Sequence, residues 1–321
     1  MWSTRVLWHS RSASTPSPFC SLSDAIVATD IHLELEDRLA KFMGVEESVL
    51  YSYGFSAVAS AIPAYSKNGD VIFADSGVHF AIQKGLTASR SKIVFFKHND
   101  VDDLHRVLLE QEAEDKKDAK KAKVIRRFLV VEALYMNHGD MCPLPQILEL
   151  KKKFKVRLFL DETVSFGVLG KTGRGITEYF NIPVDEIDHF SATLEHAVSA
   201  YGGFCCGSSF IVDHQRLSGL GYCFSASLPP LQAACAIASI DILEQQPEVL
   251  QLLRTNCEQM DSLLRQYDFI DVQAVSISPV KHVRFARRSP DRAVETKRLE
   301  QVVDCVSVLL CEHVIQSAYR S

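Results

Sequence analysis

Apolar residues recur at helical spacing through IHLELEDRLAKFM, where Ile31, Leu35, Leu39 and Phe42 share one face. The pattern predicts an amphipathic helix there, its polar face turned to solvent. SVLYSY reads as a short strand, followed by a small-residue helix over residues 55–65. DVIFA (residues 70–74) is an apolar run too short for a helix, so it predicts a buried strand. A helix is expected after His79, a strand over 93–96 and a helix over 101–111. RFLVVE and RLFLD, at 127–132 and 157–161, are apolar strands separated by a helix over 147–154. Apolar strands alternating with helices predict an α/β fold with a mostly parallel sheet and crossover helices.

Beyond about Glu248 the rhythm changes to that of a smaller α+β region. The expected organisation is a leader over 1–29, a large domain over 30–247 and a smaller C-terminal domain over 248–321. The leader carries Arg5 and Arg11 among serines, with no acid before Asp24; that composition resembles a transit peptide. No amphipathic helix accompanies it, so it is read as disordered or spuriously translated. The run AEDKKDAKKAK mixes both charges and is expected to be a solvated helix end or loop. No window reaches the ~18 apolar residues of a membrane span. The longest apolar runs, 128–131 and 306–311, have core-strand and core-helix lengths.

Composition narrows the chemistry. With 47% hydrophobic residues, 23% charged and a net charge of −5, the chain carries no basic footprint, which excludes nucleic acid as an expected partner. Nine cysteines without a CxxC pair fit neither a disulfide framework nor a zinc site. They are expected to be reduced, buried thiols, with Cys205 and Cys206 facing opposite sides of one strand. No HExxH occurs, so no metal site is expected. Gly170-Lys171-Thr172 lacks the glycine that a P-loop needs five residues upstream, where Ser165 stands. Its glycines are expected to serve a tight loop. Gly54-Phe55-Ser56-Ala57-Val58 ends in valine, so it is no nucleophile elbow. Leu160-Asp161-Glu162 puts acids at the end of an apolar strand, the edge at which α/β sheets bind ligands. A carboxylate there either keeps a pyridine nitrogen protonated or simply caps the strand.

Seven segments decide further. DIHLELEDRLAKFMGVEE, LYSYGFSAVASAIPAYSKNGDVIFAD, FFKHNDVDDL, VVEALYMNHGDMCPL, LDETVSFGVLGKTGRG, GGFCCG and YCFSASLPP occur in this order. Together, from about Asp30 to Tyr319, they resemble the α-oxoamine synthases. These are pyridoxal-phosphate enzymes of the aspartate-aminotransferase fold (fold type I) that join an amino acid to an acyl-CoA. Within that family the wording of DHQRLSGLGYCFSASLPP is nearest to the first long-chain-base subunits of serine palmitoyltransferases.

The resemblance implies a set of roles. Asp161 would pair with the pyridine nitrogen, His79 would stack on the pyridoxal ring, and Thr193 would precede the Schiff-base lysine by three residues. That lysine position is His196, in Thr193-Leu194-Glu195-His196, and the nearest lysine before it is Lys171. An imidazole forms no stable imine, so His196 is expected to be a satisfied core or interface histidine. Val164 stands where the family has a histidine, and Met136 where it has a phosphate-facing serine.

The resemblance therefore implies a non-catalytic subunit. Its partner would be the catalytic second long-chain-base subunit, which would hold pyridoxal phosphate covalently. Ser225 and Ser227, in Phe224-Ser225-Ala226-Ser227-Leu228-Pro229-Pro230, would reach the partner's phosphate pocket. The pair would condense L-serine with palmitoyl-CoA at the endoplasmic reticulum membrane, with small activating and regulatory membrane subunits. A stand-alone pseudoenzyme and an active α-oxoamine synthase are the alternatives. The related first long-chain-base subunits begin with a membrane helix and a glycine-rich active-site segment before DIHLELEDRL, and the family ends in closing strands. The chain is thus expected to be incomplete at its start and truncated at its end, as in a splice product or a partial gene model.

Overall fold

Leu35, Leu39 and Phe42 are all buried on one face of α1 (Asp30–Met43), as their spacing requires. Asp30 in its first turn and Lys41 in its last complement the helix dipole. This is the first element of a computed structural model that describes residues 30–287 and 291–304. The expected leader and the apolar run 306–311 lie outside the described residues.

Two compact units are present: Met1–Tyr135 with Met141–Pro247, and Met136–Asp140 with Glu248–Ser321. The first is built on a seven-stranded sheet of order β1-β7-β6-β5-β4-β2-β3. Its strands are β1 (Glu47–Tyr51), β2 (Val71–Asp75), β3 (Lys92–Phe96), β4 (Arg127–Glu132), β5 (Arg157–Asp161), β6 (His189–Thr193) and β7 (Gly203–Gly207). The pairs from β3 through β2, β4 and β5 to β6 are parallel. Only β7 runs against its neighbours β6 and β1. Every residue of β2 and of β6 is buried, the signature of a sheet covered on both faces.

The covering helices follow the predicted rhythm. After β1 comes α2 (Gly54–Tyr65), and α3 (Phe80–Ser89) links β2 to β3. Next, α4 (Val101–Lys117) opens on Asp100, whose side chain accepts from Asp103 N, and closes on Lys116 and Lys117. It runs six residues past the predicted end, because the mixed-charge run continues it as a solvated face. The short α5 (Ala119–Ala122) finishes that run. Then α6 (Leu144–Phe154) connects β4 to β5, and α7 (Ile176–Tyr179) follows the glycine loop. That loop is tight, as expected: Gly167, Gly170, Gly173 and Gly175 all have positive φ. The Glu178 carboxylate accepts from the backbone N–H of Thr172 and of Arg174 across it. The unit closes with α8 (Ser209–Ser218), α9 (Leu220–Cys223) and α10 (Pro230–Gln245). Arg38 of α1 ties to α10 through Asp241 and, at 2.9 Å, Glu244.

Cys205 and Cys206 are both buried in β7, as expected, and Cys142 and Cys257 are buried too. The expectation of buried thiols fails at Cys235, which is exposed, and at the half-buried Cys223. The buried stripe of α10 is Ala233, Ala236, Ile240 and Leu243, and position 235 lies off it.

The second unit carries α11 (Glu248–Leu264) and a hairpin of β8 (Ile270–Gln273) and β9 (His282–Phe285). Lys281 Nζ donates to Asp261 Oδ1 at 3.0 Å and to the carbonyls of Val275 and Ser276 at 2.8 Å. His282 Nε2 lies 2.8 Å from Met136 O, which ties residues 136–140 into this unit. Among the described residues no helix is long and apolar enough to cross a membrane.

Candidate active site

Three adjacent parallel strands end in a buried carboxylate. Asp75 closes β2, Glu132 closes β4 and Asp161 closes β5, each 3% exposed or less. Such ends are where α/β sheets bind ligands, particularly where the strand order reverses. Here the chain steps from β2 outward to β3 and returns to β4 on the other side of β2. The candidate site lies beyond that reversal.

His79 enters from the loop after β2 and caps α3, its Nδ1 accepting from Ala81 N at 3.2 Å. Its Nε2 donates to Asp161 Oδ2 at 2.9 Å, and its backbone N–H donates to Glu132 Oε1. The other Asp161 oxygen accepts from Thr163 Oγ1 at 3.0 Å and Ser191 Oγ at 2.8 Å. Burial would lower the His79 pKa, but the hydrogen bond to Asp161 and the charges of Asp161 and Glu132 raise it to about 9. Charging the ring puts a proton on Nδ1 and gives up the Ala81 contact, a smaller effect than two buried carboxylates. Asp75 is held separately. It accepts from His98 Nδ1 at 2.8 Å, from Gly77 N at 2.6 Å and from Asn99 N at 2.8 Å. Burial pushes its pKa up, yet these donors outweigh it and leave the carboxyl below its usual range.

The predicted residues separate into two groups. His79 and Asp161 meet, although they are 82 positions apart. Thr193 ends β6, two residues beyond the Ser191 that pairs with Asp161 in register. Its Oγ1 donates to Gly202 O at 3.1 Å and accepts from Glu195 N at 3.2 Å, fixing the start of the loop that carries residue 196. Gly54 packs so closely there that a Cβ on it would collide with Thr193 Oγ1. Ser225 and Ser227 are not brought to this cluster. Ser225 is exposed and donates to Gly221 O at 2.6 Å, while Ser227 is half-buried.

One expectation is corrected. His196 is exposed in this chain, which overturns the core half of the expectation and leaves the interface half standing as an expectation. The loop after β6 buries Leu194, Val198 and Ala200 instead, and the side chain at 196 points outward. Glu132, Thr163 and Ser191 were missed by sequence reasoning. Glu132 left a signal, being the acid that ends RFLVVE, directly across from Asp161 in the β4–β5 register.

His79, Glu132 and Asp161 also offer ligand atoms within 4.8 Å of one another, but each is engaged in the hydrogen bonds above. A covalently held pyridoxal phosphate does not fit these residues. Its aldehyde needs an amine, and the chain has no lysine between Lys171, exposed in the glycine loop, and Lys281.

The comparisons with known proteins agree with this fold. Residues 24–308 match the model of the aminotransferase class I and II family. The chain is 43% identical over 277 residues to long chain base biosynthesis protein 1b of Oryza sativa, covering 86% of this chain and 57% of that one. It is 42% identical over 282 residues to serine palmitoyltransferase 1 of Dictyostelium discoideum, covering 86% and 58%. The chain thus spans somewhat more than half the length of the curated relatives it matches. The solved serine palmitoyltransferase of Sphingomonas wittichii superposes with a TM-score of 0.72 at 28% identity, over 80% of this chain and 61% of that one. A solved serine palmitoyltransferase with a pyridoxal phosphate internal aldimine gives 0.73 at 27% identity, over 81% and 63%. The parallel sheet, the carboxylate that closes β5 and a family match over 24–308 lead to one assignment: this chain belongs to the aminotransferase class I and II family.

Proposed function

We propose that this chain is the non-catalytic subunit of a serine palmitoyltransferase, heterodimerised with a catalytic second long-chain-base subunit that holds pyridoxal phosphate covalently. The observation that carries this reading is residue 196. An exposed imidazole stands where the α-oxoamine synthases have their Schiff-base lysine, while His79 and Asp161 remain paired and buried. A histidine cannot replace the amine that forms and exchanges the imine, so the chemistry falls to the partner.

The pair joins the α-carbon of L-serine to the thioester carbonyl of palmitoyl-CoA. The CoA thiol and CO2 leave, and 3-ketosphinganine is the product. This chain's part is to complete the neighbour's site, with the hydroxyls of Ser225 and Ser227 turned to the partner's phosphate. The same reading places the assembly at the endoplasmic reticulum membrane with small activating and regulatory membrane subunits.

The test is co-expression with a lysine-bearing partner, followed by purification of each chain alone and together. The isolated chain is expected to stay colourless with pyridoxal phosphate and to gain no pyridoxyl label on borohydride reduction. The pair is expected to condense serine with palmitoyl-CoA. A labelled lysine in the isolated, turnover-competent chain would make it an active synthase. Failure of the two chains to associate would leave a stand-alone pseudoenzyme.

A further inference from the structure

The parallel strands begin at the edge of the sheet opposite His79 and Asp161, and the chain gathers cations there. Because α4 and α6 run back against the strands they connect, both finish at that edge, in KKDAKKAK (with α5) and LKKKFKVR. Lys123 and Arg126 precede β4, and Lys155 and Arg157 introduce β5. The two runs lie side by side. Asp115 of α4, Arg127, Lys153 and Lys155 line one groove, and Lys153 Nζ lies 3.0 Å from His105 Nε2 of α4. Arg127 also donates to Ala122 O at 3.2 Å, which holds α5 against the start of β4.

The acids among these cations already have partners. Arg126 bridges to Asp70 at 3.0 Å, Arg127 to Asp115 at 2.5 Å, Lys151 to Asp188 at 2.8 Å and Lys152 to Glu186 at 2.7 Å. Lys117, Lys120, Lys123, Lys153, Lys155 and Arg157 are exposed and have no ion-pair partner among the described residues. In a chain of net charge −5, this edge stays positive after pairing. Glu46 and Asp185, which line a separate depression near the start of β6, bound it on the acidic side. Two apolar side chains protrude from the same surface. Val124, in the turn between Lys123 and Arg126, is 80% exposed, and Phe210, in the first turn of α8, is 79% exposed. Phe210 lines a shallow depression together with Arg126 and Arg157. Cations around protruding apolar groups suit the headgroup region of a bilayer, where charge draws the protein to anionic lipid and the apolar groups enter the interface.

We propose that this edge of the first unit is a contact surface for a bilayer carrying anionic lipid. Lys117, Lys120 and Lys123 on one side and Lys153, Lys155 and Arg157 on the other meet headgroup phosphates, while Val124 and Phe210 enter the interface. An acidic protein would satisfy the cations but not the two apolar groups. None of these residues belongs to the His79–Asp161 cluster, and the contact is a property of this chain alone. It therefore stands or falls independently of the subunit reading.

Flotation of the full 321-residue chain with vesicles tests it, phosphatidylcholine alone being compared with phosphatidylcholine containing about 30% phosphatidylinositol. The anionic vesicles are expected to bind at least about tenfold more tightly, and salt at about 0.5 M to abolish the difference. Lys123→Glu/Arg157→Glu, both at exposed positions, is expected to weaken that binding at least about tenfold. Lys84→Glu/Lys171→Glu makes the same change of charge beyond the opposite ends of the strands, and is expected to bind within about twofold of the unaltered chain. Val124→Ser/Phe210→Ser keeps every charge and is expected to cost severalfold in affinity. Equal binding to the two vesicles, undiminished binding by Lys123→Glu/Arg157→Glu or Val124→Ser/Phe210→Ser, or an equal loss in the opposite-edge control would overturn the proposal. Capture by polyglutamate without binding to the anionic vesicles would overturn it too, in favour of an acidic protein.

Discussion

His79 Nε2 donates to Asp161 Oδ2 at 2.9 Å, joining the loop after β2 to the end of β5 within a buried pocket. The pair has a Coulombic gain that does not require solvent, and a desolvation cost that only the pairing offsets. Removing one partner leaves the other buried and uncompensated. Asp161→Asn is therefore expected to lower stability by about 3 kcal/mol. It should also move the His79 pKa down from about 9, because the largest force raising it is the Asp161 contact. Urea unfolding measures the first effect, and NMR titration of the imidazole the second. An unchanged His79 titration would show that the pairing does not set its protonation.

The pH dependence of stability follows from three buried groups. His79 is raised from 6.5 to about 9. Glu162 is raised from 4.5 to about 8 by burial, against the opposing bonds from Ser165 and the Ile176 N–H. Each folded state keeps a proton that the unfolded chain has released, so each contribution is complete below the unfolded pKa and is lost as pH rises through the folded one. His189, lowered from 6.5 to about 3 by burial, acts in the other direction: the unfolded chain gains a proton that the folded one refuses. Glu162 acts between about 4.5 and 8, His79 between about 6.5 and 9, and His189 in the opposite sense between about 3 and 6.5. Stability is therefore expected to be nearly level from about 4.5 to 6.5, where Glu162 and His189 offset each other, to fall from about 6.5 towards 9, most steeply below 8, and to fall again below about 4.5 through His189. Glu162→Gln should flatten the alkaline limb and His189→Phe the acid limb in urea midpoints measured across the range. A midpoint that stays level from pH 6.5 to 9 would contradict the assignment of His79 and Glu162.

Backbone crowding around Thr193 gives a third prediction. Gly202 has φ +104°, and a Cβ there would lie 2.8 Å from Tyr51 O and 2.9 Å from Leu228 Cδ1. Gly202→Ala combines backbone strain with a steric clash and is expected to cost about 2–3 kcal/mol in thermal or urea unfolding. Gly69, also at positive φ but with no atom within 4 Å of such a Cβ, is the control. Gly69→Ala should cost only the strain, about 1 kcal/mol. Equal losses at the two sites would mean that the close approach of the chain at Gly202 is unimportant.

Ser225 and Ser227 bear on the proposed heterodimer. Their own hydrogen bonds within this chain are few, so the double substitution Ser225→Ala/Ser227→Ala is expected to leave the isolated subunit's unfolding midpoint within about 0.5 kcal/mol. In the heterodimer it should weaken retention of pyridoxal phosphate on gel filtration, read from the visible absorbance of the complex. Unchanged retention would remove these hydroxyls from the partner's phosphate pocket.

The secondary structure was legible because its signals are local. An apolar run of five residues or a stripe at i, i+4 and i+7 predicts a strand or a helix wherever it falls, and β2, β4, β5 and α1 appear where those patterns lie. The ends were less legible: α4 outruns its apolar stripe because the mixed-charge residues that follow remain good helix formers. Asp161 was legible as the acid that ends an apolar strand, whereas His79 and Thr193 were found through motif resemblance, and not through periodicity.

What the chain's sequence determined by itself is chemical inventory: which strands are apolar, which ends carry acids, and that no lysine stands near residue 196. The folded chain alone decided which of these groups meet. The closure of Asp161 on His79, the register that sets Glu132 beside Asp161, and the turn of His196 to solvent depend on the order of strands in the sheet. So does the unpartnered His189 among the aromatic rings at the other edge. These are contacts between residues tens of positions apart, and their energies come from burial and pairing in three dimensions, which leave no periodic trace along the chain.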